Sequence, residues 1–256
     1  MYFTEEALEQ LSKSYSEIEM MYNDLIINFT YLDLKNLRAR EFAHHGFPRR
    51  VKIMHRCITN VFDQIPPERT EIPSRDELSD ATINIQSFIF NTFGAMDNLA
   101  WIWIAENGQK RADGTPIPKE HIGLGPKNTS VRATLSHDFK GYLNRLDPWF
   151  EHLTTLRHAL AHRIPLYIPP YVIQKGDESA YRDLETRMSE AIKRRNFNEY
   201  DKLSVAQLSL GNFRPWIQHS FGEGAIPVVF HAQMLADFKT VDEVAKKMLK
   251  EIKERS

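Results

Sequence analysis

The stretch SRDELSDATINIQSFIFNTFGAMDNLAWIWIAENG, Ser74 to Gly108, decides the fold. Ser74 followed three residues later by Glu77 is a capping box, so a helix is predicted to open there. Leu78, Ala81, Ile85, Phe88, Met96, Leu99 and Trp103 carry it to Asn107, and Gly108 is placed to end it. A helix this apolar on most of its faces belongs at the centre of a helical bundle. Asp97, lodged between Met96 and Leu99, is then a polar group that needs a partner. An arginine is the partner expected; the other reading is an aspartate at the edge of the buried face.

Before this helix, Thr4 reads as an N-cap with Glu5 and Glu6 in the first turn. Ile18, Met21, Tyr22, Leu25, Ile26, Phe29 and Leu32 then recur at helical spacing, and the helix is expected to run on into a basic end with Arg38, Arg40, His44 and His45. Gly46-Phe47-Pro48 is expected to break the chain before a second helix from about Arg49 to Gln64. Between Arg38 and Arg56 only Glu41 is acidic. That stretch is either a solvated face or a patch that tracks phosphates, with Arg49, Arg50 and Lys52 as the RNA-contacting candidates.

After Gly108, a Gly- and Pro-rich stretch to Thr129 is expected to be a long loop. Val131, Leu135, Phe139, Tyr142, Leu143 and Leu146 form the next helical stripe. Asp147-Pro148 looks like an N-cap and first-turn proline that open a helix ending at His162. Pro165, Pro169 and Pro170 then deny a helix. Residues 171–256 read as a mixed extension: a charged helix from Ser179 to Leu203, a short strand in the glycine-bounded run Ala225 to His231, and a closing helix from Thr240 to Arg255. The expected architecture is mainly α, a bundle over residues 1–170 followed by this extension.

With 256 residues, 42% of them hydrophobic, the chain can bury a sizeable core. A net charge of -1 gives no global pull toward nucleic acid or membrane, so a polyanion site has to be local. The single cysteine, Cys57, excludes an internal disulfide. The opening MYFTEEALEQ lacks the pattern of a signal peptide, and the apolar run Leu99 to Ala105 is too short to cross a bilayer. A cytoplasmic location without membrane contact is expected. Neither the Gly-rich phosphate loop nor the dinucleotide fingerprint occurs, which argues against a nucleotide-binding α/β fold.

The chemistry is expected in LRHALAHR, Leu156 to Arg163. Arg157 offers a permanently charged fork for phosphate, and His158 and His162 exchange protons near neutral pH. An imidazole can take the proton of a ribose 2'-hydroxyl or protonate the leaving oxygen, while the guanidinium offsets charge building on the phosphate. Five residues along one helix turn through about 500°, leaving Arg157 and His162 roughly 140° apart, and a two-fold dimer repairs this poor convergence. The same spacing recurs at Arg40 and His45, Arg50 and His55, Arg132 and His137, and Arg214 and His219. Only the Arg157 copy has a polar ring residue directly after the arginine and small apolar positions before the histidine.

This segment resembles the signature of the HEPN superfamily: arginine, a polar residue, three or more further positions, then histidine, here Arg157, His158 and His162. The resemblance covers residues 1–170 and implies a HEPN-like antiparallel bundle of four or five helices, commonly dimeric. It also implies a metal-independent endoribonuclease acting on RNA in toxin, antiphage or RNA-processing systems, with no cofactor and in some cases a regulatory protein partner. One family branch carries a tyrosine two positions after the histidine, where this chain has Ile164. Three other readings stay open. His162 and Arg163 can simply cap a helix end while Arg157 pairs with Asp97; the bundle can be a non-catalytic RNA or protein binding module; or His158 and His162, four apart, can share a divalent ion with His44, His45 or His152.

Overall fold

The computed structural model describes residues 2–220 and 225–255, and the chain is mainly helical. Helix α1 (Glu5–Thr30) is capped by Thr4, whose hydroxyl accepts the Ala7 N–H at 3.2 Å. It does not run on into the basic segment. Asn36 opens a new helix, α2 (Leu37–Glu41), by accepting the N–H groups of Arg38 and Ala39. The Glu106 carboxylate, near the C-terminal end of the long helix Arg75–Asn107, accepts the N–H groups of Lys35 and Asn36 just ahead of it.

The expected break at Gly46-Phe47-Pro48 is absent. The backbone passes from α2 through a π-helical turn, Phe42–Gly46, into α3 (Phe47–Gln64), and the Phe47 N–H bonds back five residues to the Phe42 carbonyl. Pro48 has no N–H to donate, and its ring would crowd a carbonyl in the turn before; widening that turn relieves both problems. The proline therefore shifts the helix instead of ending it, and both Phe47 and Pro48 are buried.

Helix α4 (Arg75–Asn107) opens with both bonds of the Ser74–Glu77 capping box and ends on Gly108 in the left-handed conformation, φ 56°. It is the axis of the fold. Ring and polar contacts pair Asn60 with Asn84, Arg50 with Asn91, and Phe42 with Trp101, so α2 and α3 run antiparallel to α4. Tyr15–Phe62, Tyr22–His55 and Phe29–Phe47 make α1 antiparallel to α3. Trp103, Phe29, Phe47, Phe88, Phe230 and Phe238 are fully buried among these helices, each such side chain contributing about 1.5–3 kcal/mol on leaving water.

The long loop after Gly108 is tied down by Ile117, Ile122 and Leu124, all buried. The next stripe is two short helices, α5 (Thr129–Arg132) and α6 (His137–Arg145), because Ser136 caps α6 and the Glu251 carboxylate binds Ser136. Helix α7 (Asp147–His162) has Pro148 in its first turn and stops at His162 as expected. Asp147 is not its N-cap; the carboxylate pairs with Arg132 at 2.7 Å instead.

The closing helix starts ten residues earlier than expected. Helix α10 (Phe230–Arg255) buries Phe230, Met234, Phe238, Val241, Val244, Met248 and Ile252 in the same core as α1, α3 and α4. Phe3 meets His231 at one end of α10 and Trp103 lies under Arg255 at the other, so this helix runs parallel to α4. The packing boundary is therefore not at Pro170: the last helix belongs to the bundle, and the bundle is not purely antiparallel.

The remainder of the chain is two small sheets and a helical pair, with Ile217 and Val228 of the second sheet joining the core. Strand β1 (Val172–Ile173) pairs with β2 (Gly211–Asn212), and β3 (Trp216–Ile217) pairs with β4 (Val228–Val229), both antiparallel. The glycines expected to bound the last strand on its N-terminal side lie outside the described residues. Between β1 and β2 the charged segment folds as two helices, α8 (Glu178–Lys193) and α9 (Phe197–Leu208), packed on each other. They divide where Arg195 takes a left-handed φ of 56° and Asn196 caps α9. No helix among the described residues is long and apolar enough to cross a membrane.

Candidate functional site

Gly94, Asp97 and Asn98 interrupt the apolar surface of α4 on the side that meets α3 and α7. The Arg50 guanidinium lies flat on Gly94: a Cβ there would stand 2.3 Å from its Cζ, so only glycine admits it. Arg50 also donates to Asn91 Oδ1 at 3.4 Å. From the other side, Arg157 of α7 lays its guanidinium over the Phe93 ring, 5.2 Å from the centroid. Both cations act on Asp97. Burial pushes the Asp97 carboxyl up to about 6, against the opposing pull of Arg50 and Arg157. Asp97 makes no hydrogen bond or ion pair within 4.0 Å among the described residues. The expected arginine partnership is thus present as a field from two sides, and not as a closed pair.

His158 and His162 follow on the same end of α7, both exposed, with ring centroids 6.1 Å apart and edge to face. His158 is held below the usual histidine range, first by desolvation and then by Arg157, His162, Arg163 and Lys127. At neutral pH it is a neutral imidazole set among cations, able to accept a proton. Within one chain, Arg157 turns toward Phe93 while His162 stands in solvent, the divergence expected from their spacing.

The basic stretch divides. Arg49 and Lys52 are exposed, whereas Arg50, expected to face RNA, is turned inward onto Gly94. His44 bonds the Leu32 carbonyl at 3.0 Å, and His152 has an unpartnered, buried Nε2. Among the described residues no three His, Cys, Asp or Glu side chains converge on a metal position, so the metal reading lacks its third ligand.

The arginines of the other copies are engaged elsewhere in the structure. Arg40 donates to the Leu34 carbonyl; His55 pairs with Glu19 at 2.8 Å and stacks on Tyr22. Arg132 is buried, donating to the Leu124 carbonyl and to Asn144 Oδ1 and ion-paired with Asp147, while His137 is fully exposed. Arg214 covers the Trp216 ring, and His219 is buried.

Beside this centre, Arg38 lies over Trp101 of α4 at 4.2 Å, and Phe42 stacks on the same indole at 5.4 Å and 7°. The alternation of aromatic residues on α4 with cations on α2 was available as a signal, but only once the two helices were known to be antiparallel. The chain matches no protein-family model, no curated protein and no solved structure.

Proposed function

We propose that the protein is a metal-independent endoribonuclease of HEPN type, working as a two-fold dimer whose α7 ends bring two sets of Arg157, His158 and His162 to one phosphate. The observation that carries this reading is the state of Arg157. Alone among the five arginines of this spacing, it sits at an exposed helix end beside proton-exchanging imidazoles, on the Phe93 ring and near a half-buried carboxyl with which it forms no ion pair. One imidazole takes the 2'-hydroxyl proton as that oxygen attacks phosphorus; the P–O bond to the 5' oxygen breaks, and the other imidazole protonates the leaving oxygen. The products are a 2',3'-cyclic phosphate and a 5'-hydroxyl. Arg157 neutralises the charge that grows on the non-bridging oxygens. Asp97 steers Arg157 without locking it, because a half-buried carboxyl with no bond to the guanidinium orients it through charge alone.

Single-stranded RNA incubated with purified protein and a chelator is expected to be cut, with DNA left intact for want of a 2'-hydroxyl. Loss of general acid–base help is worth about 100-fold to 10,000-fold, so His162→Ala is expected to lower the rate by at least that order with the fold intact. A His162→Ala variant as fast as the parent, or a strict monomer in light scattering at micromolar concentration with full activity, sinks the dimeric mechanism. A second reading, a binding module without turnover, is favoured by the divergence of Arg157 and His162 within one chain; it predicts RNA binding and no cleavage by any form of the protein.

A further inference from the structure

The π-helical turn Phe42–Gly46 opens a cleft of about 550 Å³ on the surface, lined by Arg38, Glu41, Phe42, His45, Gly46 and Arg49. Three of these side chains are basic or can become so, against one carboxylate. Arg38 and Arg49 are exposed and form no ion pair among the described residues. The backbone of Gly46 is closely approached: a Cβ would stand 3.0 Å from Asn98 Oδ1 and 3.3 Å from Phe42 Cδ1, so those side chains would have to give way slightly. One wall is layered. Phe42 stacks on Trp101, and the exposed Arg38 places its Cζ 4.2 Å from the centroid of the same indole and 5.9 Å from that of Phe42. The cleft is also next to the centre described above, since Trp101 follows Asp97 by one helical turn of α4, about 6 Å along its axis.

We infer that this cleft is a nucleotide subsite for single-stranded RNA, in which Arg38, backed by Trp101, presents a flat face for a base and Arg49 with His45 binds the adjoining phosphate. This rests on the reading of the protein as one that acts on RNA. A guanidinium plane is a stacking platform for a splayed base, and a planar cation fixed against an indole meets a base with little loss of side-chain freedom. A duplex keeps its bases stacked inside and cannot use such a wall. The Phe93 ring that carries Arg157 stands eight residues before Trp101 on α4, about 12 Å along the axis, so a strand held in the cleft by stacking would extend along α4 toward Arg157.

The test is binding, separate from turnover. A fluorescein-labelled single-stranded oligoadenylate is titrated by fluorescence anisotropy, with chelator, into the full chain carrying His162→Ala, and into the same chain with Arg38→Ala, Arg38→Lys or Arg49→Glu added. Circular dichroism melting confirms that each exposed substitution leaves the fold in place. Arg49→Glu is expected to weaken binding at least tenfold and to reduce the dependence on salt by about one counterion. Arg38→Ala is expected to cost about tenfold, the order of one base stacked on a planar side chain, and Arg38→Lys to keep the salt dependence but not the affinity. The duplex form of the same probe is expected to bind at least tenfold more weakly than the single strand. Equal affinity for all four chains, equal affinity for single strand and duplex, or no binding by the His162→Ala chain overturns the subsite. If the parent chain never cuts RNA yet these losses appear, the nuclease reading falls and the subsite stands; if it cuts RNA while the losses are absent, the reverse holds.

Discussion

Arg132 and Arg157 each stand five positions before a histidine, and the protein uses them in opposite ways. Arg132 is enclosed: its guanidinium meets the Leu124 carbonyl, Asn144 and Asp147 and lies over Phe150, and the histidine that follows it points into solvent far from any partner but Asp138. Arg157 is left half-buried on an aromatic ring, beside a carboxyl that it does not touch, with two imidazoles following on its own helix. An identical spacing thus serves as a structural staple in one place and as exposed, unspent charge in the other. The distinction lies in what the guanidinium is bonded to, which spacing cannot encode.

That contrast can be broken most directly by activity. Arg157→Ala is expected to lower RNA cleavage by about 100-fold or more while moving the unfolding free energy by less than about 1 kcal/mol, since it breaks no closed ion pair. Arg132→Ala is expected to do the reverse. It leaves Asp147 without its partner and two acceptors, the Leu124 carbonyl and Asn144 Oδ1, unfilled, so chemical denaturation should show a loss of about 3–5 kcal/mol, with activity falling only as the folded fraction falls. Equal losses of stability in the two variants would erase the distinction.

Two carboxyls, one buried and one half-buried, sharpen it. Asp237 on α10 accepts from Trp149 Nε1 at 2.7 Å and from Gln233 Nε2 at 2.6 Å, and burial pushes it up to about 7. Its folded value lies above the unfolded 3.8, so the folded state holds the proton more tightly, and stability is lost as pH rises from about 4 to about 7. Asp237→Asn keeps an acceptor for both donors and removes that loss, so at pH 8 the variant should be more stable by up to about 4 kcal/mol, and unchanged at pH 4. Asp97 has the same sign over a narrower window, from 3.8 to about 6. Asp97→Asn is expected to gain about 2 kcal/mol at pH 7, allowing for its partial exposure, and to lose activity because Arg157 is no longer steered. His231, held at about 4 by burial, runs the other way, its contribution fading as pH falls from 6.5 toward 4. Thermal melts across pH 4–8 of each variant against the parent separate the three. The smallest effect is expected from His137→Ala, within about 0.5 kcal/mol and without change in cleavage, because that ring is fully exposed.

Where a local signal was strong and nothing distant opposed it, the elements were legible in the sequence. The Ser74–Glu77 box, the Gly108 stop, the Thr4 cap and the end of α7 at His162 all rest on bonds within one turn of the residues that announce them. The failures share a cause. Gly46-Phe47-Pro48 carries every mark of a break, yet the burial of Phe47 and Pro48 against the core keeps the helix going through a π turn. Asp147 has the profile of a cap, but a buried arginine elsewhere in the chain claims its carboxylate. The split between α8 and α9 turns on an arginine in a glycine-like conformation, which no residue type announces. At the candidate site, a carboxyl seeking arginines was legible from Asp97 alone; that Arg50 would be one of them was not, because its receptor is the missing side chain of Gly94, forty-four positions away in the chain.

The π turn also sets the rotational phase of everything beside it. It accommodates one residue more than an α-helical turn would, which offsets α2 from α3 by about 100° about their common axis. Arg50 reaches Gly94 on one side of that offset, and Arg38 reaches Trp101 on the other. Removing a single residue between Phe42 and Gly46 would let α3 keep its place in the core and swing α2 out of register, parting Arg38 and Phe42 from the indole while Arg50 stays on its glycine. Chain length at this one turn is therefore a control on the cleft that is independent of the identity of any side chain within it.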